Sequence, residues 1–320
     1  MSAGGVFTLN GKNMIRGNPS MSKKMWMRLI SGLALLVLVA GSNVLAQNVM
    51  TGDWTASLVH DNPGKINLNF ERRSEKGGRN QMGQTYDFAD LQGLSREQVL
   101  SGGPAKFSLV REAGRIDCEG SFQDGKGSGT FRFTGNQSFV LAMKSRGFDF
   151  EEDSISNNGR HSENRLFAAT TLNVTTALAD DLSSSGFGKL HVDDLFKAAI
   201  FKIDSKFMRE MKASGFSNLG MEDLVKARIF KIDADFVSQV SQMGFDKEPF
   251  ESLVKMQIFK ITPEFITEVR NEGLTDISVE DIVKLRIFKI DSEFIRQAKA
   301  EGVPLEVEKL VQRRIGIARR

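Results

Sequence analysis

The C-terminal part of the chain repeats itself every 29 residues, and this period constrains the fold more than any other feature. Five glycines mark the period: Gly186, Gly215, Gly244, Gly273 and Gly302. The tetrapeptide Ile-Phe-Lys-Ile begins at four positions with the same spacing: Ile200, Ile229, Ile258 and Ile287. Such a period is typical of stacked supersecondary units, each too small to bury its own apolar face. We therefore expect a linear array with an extended surface.

Each unit reads as a helical hairpin. Ser278 and Asp281 have the spacing of a capping box that begins a first helix, which we expect to run through Phe288. Asp291 reads as the N-cap of a second helix, which Gly302 ends. The cap position recurs at Asp204, Asp233 and Thr262. We expect three sets of residues in the core: Leu195, Leu224, Leu253 and Ile282; the Ile-Phe pairs; and Phe207, Phe236, Phe265 and Phe294.

Residues 47–135 have an apolar period of two, which indicates half-buried strands. Trp54, Ala56 and Leu58 alternate with polar residues. The stretch from Lys106 to Thr134 predicts a three-strand antiparallel meander, and Ser95 predicts the cap of one short helix. The predicted fold is α+β and multi-domain. A small, mainly-β antiparallel domain (47–135) precedes an α-helical hairpin solenoid (136–320) with an acidic insertion near 150–162.

Residues 1–46 read as a secretory signal peptide with extra residues at its N-terminus. Three basic residues precede a twelve-residue apolar run, Leu29 to Ala40, which is shorter than the roughly 20 residues that span a bilayer. We favour cleavage after Ala46; a retained anchor is the alternative. Loss of five basic residues would change the net charge from +3 to −2. We expect an exported protein, periplasmic or extracellular, that does not bind nucleic acid.

The sequence predicts neither a catalytic site, a cofactor nor a metal. The three histidines, His60, His161 and His191, lie far apart, and no Gly-x-Ser-x-Gly or phosphate-loop motif occurs. Cys118 is the only cysteine, so the chain can form no internal disulfide, and we expect this residue in a core. An enzyme with a site of mutually close acids at the domain junction remains the minor alternative.

Two series of lysines form the candidate interaction surface. The first is Lys197, Lys226, Lys255 and Lys284; the second is Lys202, Lys231, Lys260 and Lys289. In a stacked array, equivalent side chains lie in a line, so each series could bind an acidic partner. The second series has a structural alternative, because cations in the last turn of a helix stabilise its negative dipole end.

Three motifs carry a family resemblance. They are Val110-Arg111-Glu112-Ala113-Gly114 with Cys118-Glu119-Gly120, then Gly127-Ser128-Gly129-Thr130-Phe131, then repeats of the type Ile258 to Phe265. The chain resembles uncharacterised exported bacterial proteins with a β-rich N-terminal module and short α-helical repeats. In that family such repeats also occur fused to BlaR-type sensor peptidases. This chain has no His-Glu-x-x-His motif, so the resemblance implies no peptidase activity. It also has Phe-Lys where those repeats commonly have His-Gly.

From these observations we expect a non-enzymatic exported repeat protein that acts as a protein-interaction scaffold, in envelope signalling or assembly. The partner and the oligomeric state do not follow from the sequence. The alternative is a carbohydrate- or lipid-binding protein that acts through the β domain, with Trp54 and Tyr86 as the aromatic candidates for a ligand platform.

Overall fold

A computed structural model describes residues 50–73, 79–151, 160–186 and 188–316 of the chain. The predicted signal peptide and most of the predicted acidic insertion lie outside these residues. The α+β prediction is confirmed: a curled antiparallel half-barrel of seven strands is followed by a series of helices. All of the described residues belong to one compact unit.

The sheet contains all the strands that the apolar alternation predicted. Its strands are β1 Met50–Leu58, β2 Lys65–Arg73, β3 Arg79–Asp87, β4 Leu91–Gln92, β5 Gly103–Arg111, β6 Gly114–Gln123 and β7 Lys126–Gly135. They lie in the order β3-β2-β1-β7-β6-β5-β4, with antiparallel neighbours throughout. The predicted meander is confirmed as β5-β6-β7. Strands β3 and β4 carry too little apolar alternation to be found from the sequence.

One face of the sheet is apolar and buried, and the other is polar. Trp54, Ile66 and Phe133 are each at most 1% exposed. In the middle of the sheet Gly120 lies opposite Gly129, where the two strands approach closely. A Cβ on Gly129 would lie 2.0 Å from the carbonyl oxygen of Glu119, so this pairing requires glycine.

The helices have the caps that the sequence predicted. Their bounds are α1 Arg96–Ser101, α2 Gln137–Lys144, α3 Arg160–Leu172, α4 Thr176–Ser183, α5 Val192–Phe201, α6 Ser205–Ala213, α7 Met221–Ile229, α8 Ala234–Gln242, α9 Phe250–Ile258, α10 Pro263–Asn271, α11 Val279–Ile287, α12 Ser292–Ala300 and α13 Val307–Arg314. Ser95 and Gln98 form a capping box on α1. Asp204, Asp233, Thr262 and Asp291 accept an N–H three residues on, and so begin α6, α8, α10 and α12.

Helix α3 joins the sheet to the later helices. It contacts β3, β5, β6 and β7, and Phe167 stacks on Phe131 with ring centroids 5.4 Å apart. The phenol of Tyr86 on β3 donates to the carbonyl oxygen of Thr171. Helix α3 also contacts α5, α5 contacts α7, α9 contacts α11, and α11 contacts α13. The apolar face of the sheet and the buried side chains of the helices therefore form one connected core.

The structure corrects one part of the predicted helical core. Leu195, Leu224, Leu253 and Ile282 are buried as expected, at 0 to 1% exposure. The first isoleucine of each Ile-Phe-Lys-Ile sequence is instead 48 to 54% exposed, and the phenylalanine after it is only partly buried. Five residues of an α-helix turn through about 140° beyond one full turn, which moves Ile200 away from the buried side of Leu195. The second isoleucine, such as Ile203, fills the core instead.

Candidate functional site

The first lysine series links every second helix, from one hairpin to the next. Lys197 on α5 lies 2.5 Å from Glu222 on α7, and Lys226 on α7 lies 2.5 Å from Glu251 on α9. In the same way Lys255 pairs with Glu280 on α11, and Lys284 with Glu308 on α13. Each lysine therefore bridges its helix to the helix one hairpin further on.

These ion pairs change the pKa values and the charge balance of the first lysine series. The glutamate beside each ammonium raises the pKa of Lys197, Lys226 and Lys284 above the ordinary lysine value. The aspartates three residues earlier, Asp194, Asp223 and Asp281, add a second carboxylate at 3.6 to 3.8 Å. The charge of the first series is thus balanced within the chain, which makes it a poor surface for an acidic partner.

The second series lies just beyond the helix ends and not in the last turn. Lys202, Lys231, Lys260 and Lys289 have φ values of 51° to 55°, the left-handed conformation that usually belongs to glycine at a helix C-terminus. Their positive charges still lie near the negative ends of α5, α7, α9 and α11. Their side chains are exposed, and within the part of the chain that the structure describes none of them forms an ion pair. This series is therefore the one with charge available to a partner.

The backbone of the second series binds the next hairpin. Arg228 donates from Nη2 to the carbonyl oxygen of Lys202 at 2.8 Å, and its guanidinium lies 3.7 Å from the ring centroid of Phe207. Arg286 repeats both contacts, with the carbonyl oxygen of Lys260 and the ring of Phe265. At the intervening position Gln257 makes only a long 3.4 Å bond to the carbonyl oxygen of Lys231.

Next to these lysines lies a row of exposed isoleucines. We call the eight residues the Ile–Lys row: Ile200, Ile229, Ile258 and Ile287 with Lys202, Lys231, Lys260 and Lys289. The four isoleucines are half of the large apolar side chains that are strongly exposed in the described part of the chain. Ile315, just past the end of α13, is also 49% exposed, but Gly316 follows it where phenylalanine follows the other four isoleucines.

The polar face of the sheet offers a second, weaker candidate. An open groove of about 720 Å³ on this face is lined by Asp53, Lys106, Arg115, Glu119 and Arg132, among others. Its charges are largely paired within the sheet: Lys106 with Glu119 at 2.8 Å, and Arg115 with Asp117 at 2.6 Å.

The two aromatic residues considered as a ligand platform both lie in the core. Trp54 is 1% exposed and donates from Nε1 to the carbonyl oxygen of Glu119. Tyr86 is 4% exposed, and burial raises the pKa of its phenol far above the ordinary value. Neither ring can stack on a ligand at the surface.

Neither the cysteine nor a metal-ligand cluster in the described residues offers a further candidate site. Cys118 is confirmed as a core residue at 1% exposure, and burial strongly raises the pKa of its thiol, which keeps it protonated and unreactive. Among the described residues no three His, Cys, Asp or Glu side chains come together as metal ligands. No helix in the described ranges is both long enough and apolar enough to cross a bilayer.

Comparison with known proteins gives no assignment. No protein-family model matches the chain, and no curated protein matches it significantly. The resemblance to exported repeat proteins therefore stays a prediction, and function has to be argued from the Ile–Lys row itself.

Proposed function

We propose that this protein is a non-enzymatic, exported scaffold whose helices form a repeat array with a 29-residue period and bind a protein partner. Export is supported by the signal-like sequence of residues 1–46. The array is supported by the recurrence of the same caps, the same buried positions and the same ion pairs between hairpins. A role in envelope signalling or assembly fits the family resemblance.

The Ile–Lys row is the observation that carries this proposal. The same exposed pair returns on α5, α7, α9 and α11, and each of these helices is linked to the next by a lysine–glutamate pair. A stacked array thereby presents one chemical group at regular intervals, which suits an extended protein ligand better than a small molecule. Exposed apolar residues in a contiguous set are typical of interaction surfaces.

The alternative, a carbohydrate or lipid site on the β domain, has less support. Carbohydrate sites commonly use an exposed aromatic ring, whereas Trp54 and Tyr86 are internal. The groove on the polar face is open, and most of its charges are paired.

Site-specific photo-crosslinking in the native cell tests the proposal. A photoreactive residue is placed at Ile258 in the row, at Gln239 on the exposed side of α8, or at Thr55 on the polar face of the sheet. We expect a discrete protein adduct from at least one helical position and none from Thr55. Adducts only at Thr55, or a glycan or lipid adduct there, would contradict the scaffold function.

A further inference from the structure

The row combines an apolar strip with a cationic edge. Within each helix, for example Glu222, Lys226 and Ile229 of α7, the spacing of four and three residues puts these side chains on one exposed face. Lys231 follows two residues after Ile229, past the end of the helix. Each isoleucine therefore lies between a lysine–glutamate pair on one side and an unpaired lysine on the other.

The cationic edge carries more charge than its four lysines. Arg228 and Arg286 bring their guanidinium groups to the backbone of Lys202 and Lys260, and in the described part of the chain neither arginine forms an ion pair. The acids nearest in sequence are Asp204, Asp233 and Asp291. They accept backbone N–H bonds at the N-termini of α6, α8 and α12, where the helix dipole offsets their charge.

This asymmetry favours a narrow acidic partner over a flat anionic surface. A lipid bilayer that reached the isoleucines would also meet Glu222, Glu251 and Glu280 on the other edge, which are 58 to 71% exposed. Together with Asp194, Asp223 and Asp281, the glutamates outnumber the lysines of the first series, so this edge would repel anionic headgroups. A single polypeptide segment with apolar residues on one stripe and acids on one side avoids them.

Helix geometry makes the match more specific. Packed helices lie about 8 to 10 Å apart, and α5–α7, α9–α11 and α11–α13 are in contact, so we take roughly that interval as the spacing of consecutive isoleucines. In an α-helix, residues seven positions apart are separated by about 10.5 Å along the helix axis. A helix of about 24 residues is therefore long enough to span the whole row. We propose that the Ile–Lys row binds an acidic amphipathic helix of a partner protein, with apolar residues at heptad spacing in contact with the isoleucines and carboxylates in contact with the lysines.

This proposal rests on the scaffold function but can fail separately from it. Adducts at Gln239 without adducts at Ile258 would leave the scaffold in place and remove the row as its binding site. The direct test uses fluorescence anisotropy of a labelled synthetic helix of about 24 residues, with leucine at every seventh position and glutamates beside it. A second peptide has lysines in place of the glutamates.

The structure supplies variants that should remain folded. Replacing all four lysines of the row by glycine, Lys→Gly, removes the charge and also suits the left-handed backbone, so the melting temperature should not fall. Ile229→Gln with Ile258→Gln removes apolar surface from positions that are already half exposed. The matched controls lie off the row: Lys247→Gly, also at a left-handed position, and Leu141→Gln, which is 62% exposed.

We expect the acidic peptide to bind the wild-type protein, and each row variant to weaken binding about ten-fold. Binding should weaken as salt rises, and the control variants should stay within about two-fold of wild type. Equal binding of the lysine peptide, no binding of the acidic one, or unchanged binding by the row variants would overturn the proposal. A different occupant would also overturn the proposal. This would be the case if the peptide does not bind, while the wild-type protein binds phosphatidylglycerol vesicles or self-associates in sedimentation and the row variants lose that binding or self-association.

Discussion

At the scale of single residues, the contacts between neighbouring hairpins depend on which side chain donates a hydrogen bond to the carbonyl oxygen of each left-handed lysine. A lysine with positive φ costs about 1 kcal/mol relative to a relaxed conformation. Arg228 and Arg286 compensate by binding the carbonyl oxygen of that lysine and by stacking on a phenylalanine. Gln257 occupies the same position and has only the long hydrogen bond, and Phe236 beneath it is less buried than Phe207 or Phe265.

We therefore expect Gln257→Arg to stabilise the protein by about 0.5 to 1 kcal/mol. The new guanidinium would stack on Phe236 and bind the carbonyl oxygen of Lys231. The measurement is the free energy of unfolding by urea. The matched control combines Gln257→Arg with Phe236→Leu, which should remove most of the gain; an equal gain in both backgrounds would mean that stacking is not the cause.

Residue-level prediction from the sequence succeeded where the determining contacts are local. The caps Ser95, Asp204 and Asp291 could be identified because each binds an N–H three residues away in the same chain segment. The exposure of Ile200 was missed although it follows from a local rule, because a residue five positions after the buried Leu195 points to another side of the helix. The pairing of Lys197 with Glu222 requires the distance between neighbouring hairpins, which no local pattern contains.

At the scale of elements, the carboxylate of Asp181 joins α4 to α6. Asp181 near the end of α4 accepts a 2.6 Å bond from the hydroxyl of Ser205 and a 2.7 Å bond from its backbone N–H, at the first residue of α6. These two bonds, led by the hydroxyl, lower the pKa of Asp181.

The lowered pKa sets the direction of a pH effect. The stability from this contact is present above the pKa of an unfolded aspartate, about 3.9, and is lost as the pH falls through the lower folded pKa. We expect Asp181→Asn to cost about 1 to 2 kcal/mol at pH 7, measured by urea unfolding. The difference from wild type should shrink below about pH 4. Ser205→Ala, which keeps the N–H donor, should cost less; a difference that does not depend on pH would contradict this assignment.

The sheet depends on the close approach of β6 and β7. Gly129→Ala would push a Cβ into the carbonyl oxygen of Glu119, and we expect it to cost about 3 kcal/mol or more. Thermal unfolding measures this cost. Gly64→Ala is the control, because its Cβ would meet no atom closer than 3.5 Å. Similar melting temperatures for the two variants would show that the strands are further apart than described.

Prediction of the helices and strands from the sequence depended on how clearly apolar and polar residues alternate. Strands β5 to β7 and the capped helices have a clear period of apolar residues. Their existence and their order along the chain could therefore be predicted. Strand β3, with the sequence Arg-Asn-Gln-Met-Gly-Gln-Thr-Tyr-Asp, is polar on nearly every position and forms because β2 offers a free edge for nine paired residues. Only the tertiary context specifies it.

At the scale of the whole molecule, a single apolar core runs from the sheet into the helices. Helix α3 covers the sheet, Tyr86 binds its last turn, and α5, α7, α9 and α11 continue from it through the ion pairs of the first lysine series. Ile200, the first residue of the Ile–Lys row, lies 29 residues after Thr171, so the two residues occupy corresponding positions in the sequence. Thr171 is buried at the contact with the sheet, so the exposed row begins where that contact ends.

The central claim is that the helices form one continuous array whose units are interchangeable at a period of 29 residues. Deletion of residues 230–258 removes one such unit and joins Ile229 to Phe259, which restores the sequence Ile-Phe-Lys-Ile. Circular dichroism and thermal unfolding should show a folded protein that melts cooperatively, at a somewhat lower temperature because one interface is lost. Deletion of residues 230–254, which breaks the register, should yield an unfolded or aggregated helical part. Equal behaviour of the two deletions would contradict the array.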